Sequence, residues 1–221
     1  MNKQLEGIWQ RMLDLGLGAL AHANRHAAYC CMENERWPDL SVLQAAHAAE
    51  ILIKARISQE HPLLIFDRFP PVSNDDLSLD DLFEKGKTIE WNELPARLWA
   101  TTGISLPALT IYKEFGKLRN GIQHFAPSFV SESASIKTLE FVFSVIDPFI
   151  NDCWGLYAID YDEDYDPYIY FAPCLLRNSI TFLVSKDAAN NSEYWDIDWT
   201  EVEPSYREEM QRRISVAKSS G

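Results

Sequence analysis

Basic residues are scarce in this chain: 20 Lys and Arg stand against 33 Asp and Glu, a formal net charge of −13 over 221 residues. Affinity for nucleic acid grows with clustered Lys and Arg through counterion release, so this surface taken whole repels RNA, and any contact has to rest on a local basic patch or on more than one subunit. Long apolar runs are missing too. No stretch reaches the roughly 18 residues of a membrane span, and residues 1–6 carry no apolar signal-peptide core. A cytoplasmic location and no membrane partner are expected. Cysteine is sparse: Cys30, Cys31, Cys153 and Cys174 form no C-x-x-C pair, and adjacent cysteines rarely bridge each other, so no disulfide framework or zinc site follows and buried free thiols are expected. The phosphate loops G-x-x-x-x-G-K-[ST] and G-x-G-x-x-G and the nucleophile elbow G-x-S-x-G are also absent, which argues against nucleotide hydrolysis, dinucleotide binding and elbow-type hydrolases. No cofactor and no metal are expected.

What is present is helical periodicity over the first 155 residues, at a hydrophobic content of 47% that suits one domain with a small appendage. A first helix is predicted over about 3–34, with Leu5, Ile8, Met12 and Leu15 at helical spacing, ending near Trp37-Pro38. Asp39 or Ser41 caps a second, whose stripe of Val42, Ala45, Ala49, Leu52, Ile53 and Ile57 runs to His61-Pro62. Pro70-Pro71 opens a loop, Ser78 starts a short helix through Phe83, and Asn92 caps another through Thr101 before Gly103. A helix over 106–125 is closed by Ala126-Pro127, and one over about 135–154 is bent at Pro148. After Gly155 the composition turns to aromatics and aspartates. Tyr168–Phe171 and Ile180–Val184 favour a small hairpin by content, and 201–218 reads as a charged helix or a frayed end. The spacing Asp160-x-Asp162-x-Asp164-x-Asp166 suggests a calcium loop, but Tyr165 stands where glycine is needed and Phe171 where glutamate is needed, so it reads as an acidic turn.

The helix over 106–125 separates into two faces. At about 100° per residue, Ile111, Phe115, Leu118, Ile122 and Phe125 point one way, and Lys113, Lys117, Asn120 and His124 the other. Asn120 and His124 are neighbours at i,i+4, so the amide is placed to fix the imidazole's tautomer. Arg119 lies five residues before His124, about 140° round the wheel and roughly 7.5 Å away along the axis. It therefore either reaches around its own helix or meets a histidine of another chain. A guanidinium that stays charged beside an imidazole is the minimal kit for moving protons around a phosphodiester without a metal. Arg56 to His61 repeats the spacing, but lacks the asparagine and abuts Pro62. Glu50 and Lys54 form an i,i+4 pair with His47 one turn earlier. This pair reads either as a surface salt bridge or as a shell behind the cleft, and Lys113 and Lys117 either as phosphate contacts or as a solvated face.

The stretch 45–66, Ala-Ala-His-Ala-Ala-Glu-Ile-Leu-Ile-Lys-Ala followed by Glu-His-Pro-Leu-Leu-Ile-Phe, resembles the second helix of the HEPN superfamily. Leu118-Arg119-Asn120-x-x-x-His124 resembles that family's arginine-to-histidine signature in its form with asparagine after the arginine. The resemblance covers about residues 3–155. It implies a mainly α bundle of four to five helices over 1–155; the acidic, aromatic-rich extension over 156–221 lies outside it. It further implies a homodimer in which two motifs face one cleft, acting as a metal-independent endoribonuclease, often a toxin or antiviral effector. By position, His124 would be general base or acid, Arg119 would stabilise the phosphorane charge and Asn120 would orient one of them. RNA is the implied partner, and an antitoxin protein a possible second one. The alternative within the same resemblance is an inactive bundle that serves as a scaffold or protein-binding module.

Overall fold

The computed structural model describes residues 5–69, 79–125, 131–163 and 167–219, and they form a mainly helical protein with one two-stranded sheet. Helix α1 (Ile8–Ala28) buries Gly16, Ala19, Leu20, Ala23, Asn24 and Ala27, a stripe at i, i+3, i+4 spacing made mostly of small residues. These let it lie close along α2 (Trp37–Glu60). The stripe differs from the larger apolar residues expected near the start, since Leu15 faces outwards. The first helix is also shorter than its periodicity implies. Tyr29 is extended, and Asn34 turns the chain by accepting the Arg36 N–H on its side chain at 3.0 Å. Pro38 then sits in the first turn of α2, where a missing N–H costs nothing, rather than ending the helix before it. Neither Asp39 nor Ser41 is the cap: both are buried inside the helix, and the Ser41 hydroxyl meets Thr138 at 2.9 Å.

Helix α2 is buried on nearly every side and forms the axis of the bundle. His61 ends it and accepts the Leu63 N–H on Nδ1 at 3.2 Å, which starts a 3-10 turn over Pro62–Ile65. Strand β1 (Phe66–Arg68) pairs antiparallel with β2 (Lys87–Thr88), with α3 (Leu79–Lys85) between them. The Pro70-Pro71 loop and Ser78 lie outside the described residues. A 3-10 turn over Trp91–Glu93 is capped by Glu90, not by Asn92, and runs into α4 (Leu94–Thr102), which Gly103 ends at φ 75°, as its position predicts. Helix α5 (Leu109–Phe125) follows; Ala126-Pro127 fall outside the described residues.

The apolar rod predicted over 135–154 is present as α6 (Ser131–Phe141), a π turn over Val142–Ile146 and α7 (Asp147–Trp154). Pro148 supplies the reason for the π turn. It has no N–H to give and its ring needs the carbonyl four residues back moved aside, and the wide turn, with the Asp147 N–H on the Val142 oxygen, makes that room.

The region after Gly155 corrects the expected hairpin. Tyr168–Phe171 belongs to helix α8 (Pro167–Arg177), whose buried Phe171, Ala172, Leu175 and Leu176 follow a helical period. The segment 180–184 is extended and alternates buried with less buried residues, yet it pairs with no described strand. Side chains satisfy its backbone instead: Leu183 N–H donates to Asp147, Phe182 O accepts from Arg213 and Ile180 O accepts from Tyr206. Helix α9 (Lys186–Asn190) and α10 (Pro204–Ser219) complete the chain, the latter opening with Glu203 accepting the Ser205 and Tyr206 N–H groups. One apolar core runs from Ala19 to Ile214, so this extension packs on the bundle rather than trailing from it. Asn24 of α1 ties it further by donating to the Ala158 and Tyr161 carbonyls at 3.1 and 2.7 Å. All four cysteines are free, but none is fully buried, and Cys30 is exposed. No described helix is long and apolar enough to cross a membrane.

Candidate functional site

Helix α5 has the two faces its sequence predicts. Tyr112, Phe115 and Ile122 are buried and Leu118 half-buried, while Lys113, Lys117, Asn120 and His124 are exposed. Two aromatic stacks hold the inner face. The Phe115 ring lies on Phe141 at 3.9 Å between centres and the Tyr112 ring on Trp91 at 4.2 Å, both nearly coplanar. Tyr112 Oη also donates to the Trp91 carbonyl at 2.9 Å. Burial pushes the acidity of this hydroxyl well below normal, raising its pKa with help from Glu50 against the opposing Arg119, so it acts as a neutral pin. Gly116 makes the approach possible: a Cβ there would stand 2.4 Å from Trp91 Nε1. Phe125, expected on the core face, is instead 83% exposed.

Arg119 is the residue that this frame positions. Its Nη2 lies 3.9 Å from Glu50 Oε2 on α2, its Nη1 donates to Asn120 Oδ1 at 3.2 Å, and its Cζ is 5.9 Å from the centre of the Trp91 ring. Glu50 Oε1 in turn accepts from Lys54 Nζ at 2.6 Å, and Lys54 reaches Thr88 Oγ1 on β2 at 3.1 Å. One carboxylate thus serves two cations, and a connected polar row crosses from α5 through α2 to the sheet. Lys54 is only 7% exposed. The pair is therefore not a surface bridge: Lys54 is buried, and its carboxylate partner also faces Arg119. Glu50→Gln is expected to lower unfolding stability by about 2–3 kcal/mol, somewhat less than breaking a fully buried pair, because part of Glu50 still meets water. Urea titration of the two proteins measures it.

Asn120 serves the arginine, not the histidine. Its oxygen accepts from Arg119, and among the described residues His124 makes no hydrogen bond; its ring meets only the edge of Phe125 at 6.5 Å. Arg119 meets Glu50 of α2 and the adjacent Asn120, and His124 is exposed in the last turn of α5, with no contact between the two among the described residues. Lys113 and Lys117 form no ion pair among the described residues, and exposed His47 makes no hydrogen bond there. Trp91, Tyr112 and Thr88 belong to the site but carry no sequence signal for it: Trp91 and Thr88 are far from α5 in the chain and reach it only through packing.

No family model, curated protein or solved structure matches this chain.

Proposed function

We propose that this chain is a metal-independent endoribonuclease of the HEPN type, working as a homodimer whose site takes Arg119 from one copy and His124 from the other. The observation that carries the reading is the division of labour on α5. Arg119 is held by Glu50 and Asn120, and His124, which makes no hydrogen bond among the described residues, stands exposed at the end of the same helix with Lys113 and Lys117 behind it. His124 would take the proton of an RNA 2′-hydroxyl as its oxygen attacks the adjacent phosphorus. Arg119 would stabilise the charge on the phosphorane, and the P–O5′ bond would break with a proton delivered to the leaving oxygen. The products are a 2′,3′-cyclic phosphate and a 5′-hydroxyl, and DNA, which lacks the nucleophile, is inert. Lys113 and Lys117 would bind flanking phosphates. A cytoplasmic toxin or antiviral effector restrained by an antitoxin protein fits an activity that needs control.

The scaffold reading is favoured by the same Arg119–Glu50 contact, which joins α5 to α2 whether or not any RNA is cut. Subunit mixing separates the two. Total RNA is incubated in EDTA with wild type, with Arg119→Ala, with His124→Ala and with the two variants co-refolded in equal amounts. Each variant alone is expected to be inactive. The mixture should regain about a quarter of wild-type cutting, since half the dimers are mixed and each holds one complete site of two. Absence of cutting by the wild-type protein rejects the nuclease reading.

A further inference from the structure

A second basic cluster lies apart from α5, in a cleft of about 450 Å³ between the end of α7, the 183–186 segment and α10. Its cationic side is Lys186, Arg212 and Arg213, and its apolar side includes Tyr157, Leu183 and Val216. In a chain with net charge −13 three cations on one concave surface are a local exception. Part of that charge is answered. Glu209 accepts from Arg212 Nε and Nη2 at 2.8 and 2.9 Å and from Arg213 Nε at 2.7 Å, and Arg213 Nη1 is committed to the Phe182 carbonyl at 2.8 Å. Lys186 has no hydrogen bond or ion pair among the described residues. Glu209 answers both guanidinia and Arg213 also faces buried Asp147, which leaves Lys186 and the uncommitted Nη1 of Arg212 to present positive charge to the cleft. The nearby Asp187 follows Lys186 in the first turn of α9 and does not line it.

We infer that this cleft binds a nucleoside monophosphate, with the phosphate on Lys186 and Arg212 and the base against Tyr157, Leu183 and Val216. The volume falls within the range of small-molecule sites, roughly 300–1,000 Å³. A guanidinium with an N–H still uncommitted and a lysine ammonium suit a dianionic phosphate, which neither the apolar wall nor a neutral ligand would need. The apolar wall and the tyrosine in turn have no use in a site for bare phosphate. Size also selects against a polynucleotide. Charges are screened beyond about 8 Å at physiological salt, so a mononucleotide meets the local excess of positive charge, whereas a long polyanion lies over the acidic remainder of the surface. None of these residues belongs to α5, so the inference does not depend on the nuclease reading.

Isothermal titration of the full chain at near-physiological ionic strength tests it, with AMP, GMP, CMP, UMP, adenosine and inorganic phosphate as the probes. At least one nucleotide is expected to bind with a Kd below about 1 mM, with adenosine and phosphate each about tenfold or more weaker. The double variant Lys186→Ala, Arg212→Ala should lose about tenfold or more of that affinity. Both side chains are exposed, so its melting curve should match wild type, and Arg213 is left in place because it supports the 180–184 segment. Three results overturn the inference: no nucleotide binding in the millimolar range, equal affinity in the double variant, or phosphate alone binding as tightly as the nucleotides.

Discussion

On the proposed nuclease mechanism, replacing His124 with alanine should reduce RNA cleavage by a factor of roughly 10²–10⁴, the usual contribution of a positioned general acid or base. Folding should be untouched. The ring is exposed, forms no hydrogen bond among the described residues and meets only the equally exposed Phe125, so the change in stability should stay within about 0.5 kcal/mol. Arg119→Ala makes an informative contrast. It removes the same activity but also strips Glu50 of one cation and the Trp91 ring of its neighbour, so it should lower stability as well. A nuclease separates these two signatures, activity alone for His124 and activity with stability for Arg119. A scaffold shows only the second. Single-turnover assays on a defined RNA, run beside thermal melts of the same preparations, provide both measurements, and undiminished cleavage by the His124 variant ends the catalytic proposal.

The largest stability effect is expected far from that site, at Asp147. This carboxylate is fully buried at the start of α7 and accepts two backbone N–H groups, Ala158 on Oδ1 and Leu183 on Oδ2, each at 2.8 Å. It thereby fastens two separate stretches of the extension to the bundle. Asp147→Ala leaves both donors unanswered at a cost of about 1–3 kcal/mol each, or roughly 2–6 kcal/mol in all. Asp147→Asn should cost about half as much, because the amide oxygen can serve one donor while its NH₂ faces the other.

The same residue predicts a pH dependence. Burial pushes the Asp147 carboxyl up to about 7 from its ordinary 3.8, with Asp160 adding to the rise and the two N–H donors and Arg213 opposing it. Between about pH 4 and 7 the folded protein therefore holds a proton that the unfolded chain has lost. The stability contributed by this group is complete below about pH 4, falls as pH rises towards 7 and is constant above. The difference between wild type and Asp147→Asn should accordingly be largest in acid and shrink across that window. Urea unfolding at a series of pH values measures it, and a difference that widens with rising pH contradicts the assignment.

Much of the helical architecture was legible because burial stripes recur over many residues: α2, α5 and the rod through α6 and α7 lie close to where their apolar spacing puts them. The tail was misread for a physical reason. Tyr168–Phe171 has β-favouring residues, but Phe171 and Ala172 bury against the core together with Leu175 and Leu176, and that packing outweighs a weak local preference. The 180–184 segment does alternate like a strand, with Ile180, Phe182 and Val184 buried, yet its carbonyls and N–H groups meet Tyr206, Arg213 and Asp147, all distant in sequence. Strands β1 and β2, of three and two residues, are too short to show a period at all.

At the site the same boundary appears. The sequence by itself determined that α5 is two-faced, that Lys113, Lys117, Asn120 and His124 share its outer side, and that Arg119 lies about 140° round the wheel from His124, so that it either reaches around its helix or meets a histidine of another chain, because those relations follow from about 100° per residue. Only the tertiary structure decided that Asn120 holds the arginine, that Glu50 and Lys54 form its support, and that Trp91 lies under it. Those contacts depend on how α2, α5 and the turn before α4 approach one another, and approach is set by residues that fit across elements rather than along them, such as Gly116, where the missing Cβ leaves room for Trp91, and Phe141, whose ring stacks on Phe115.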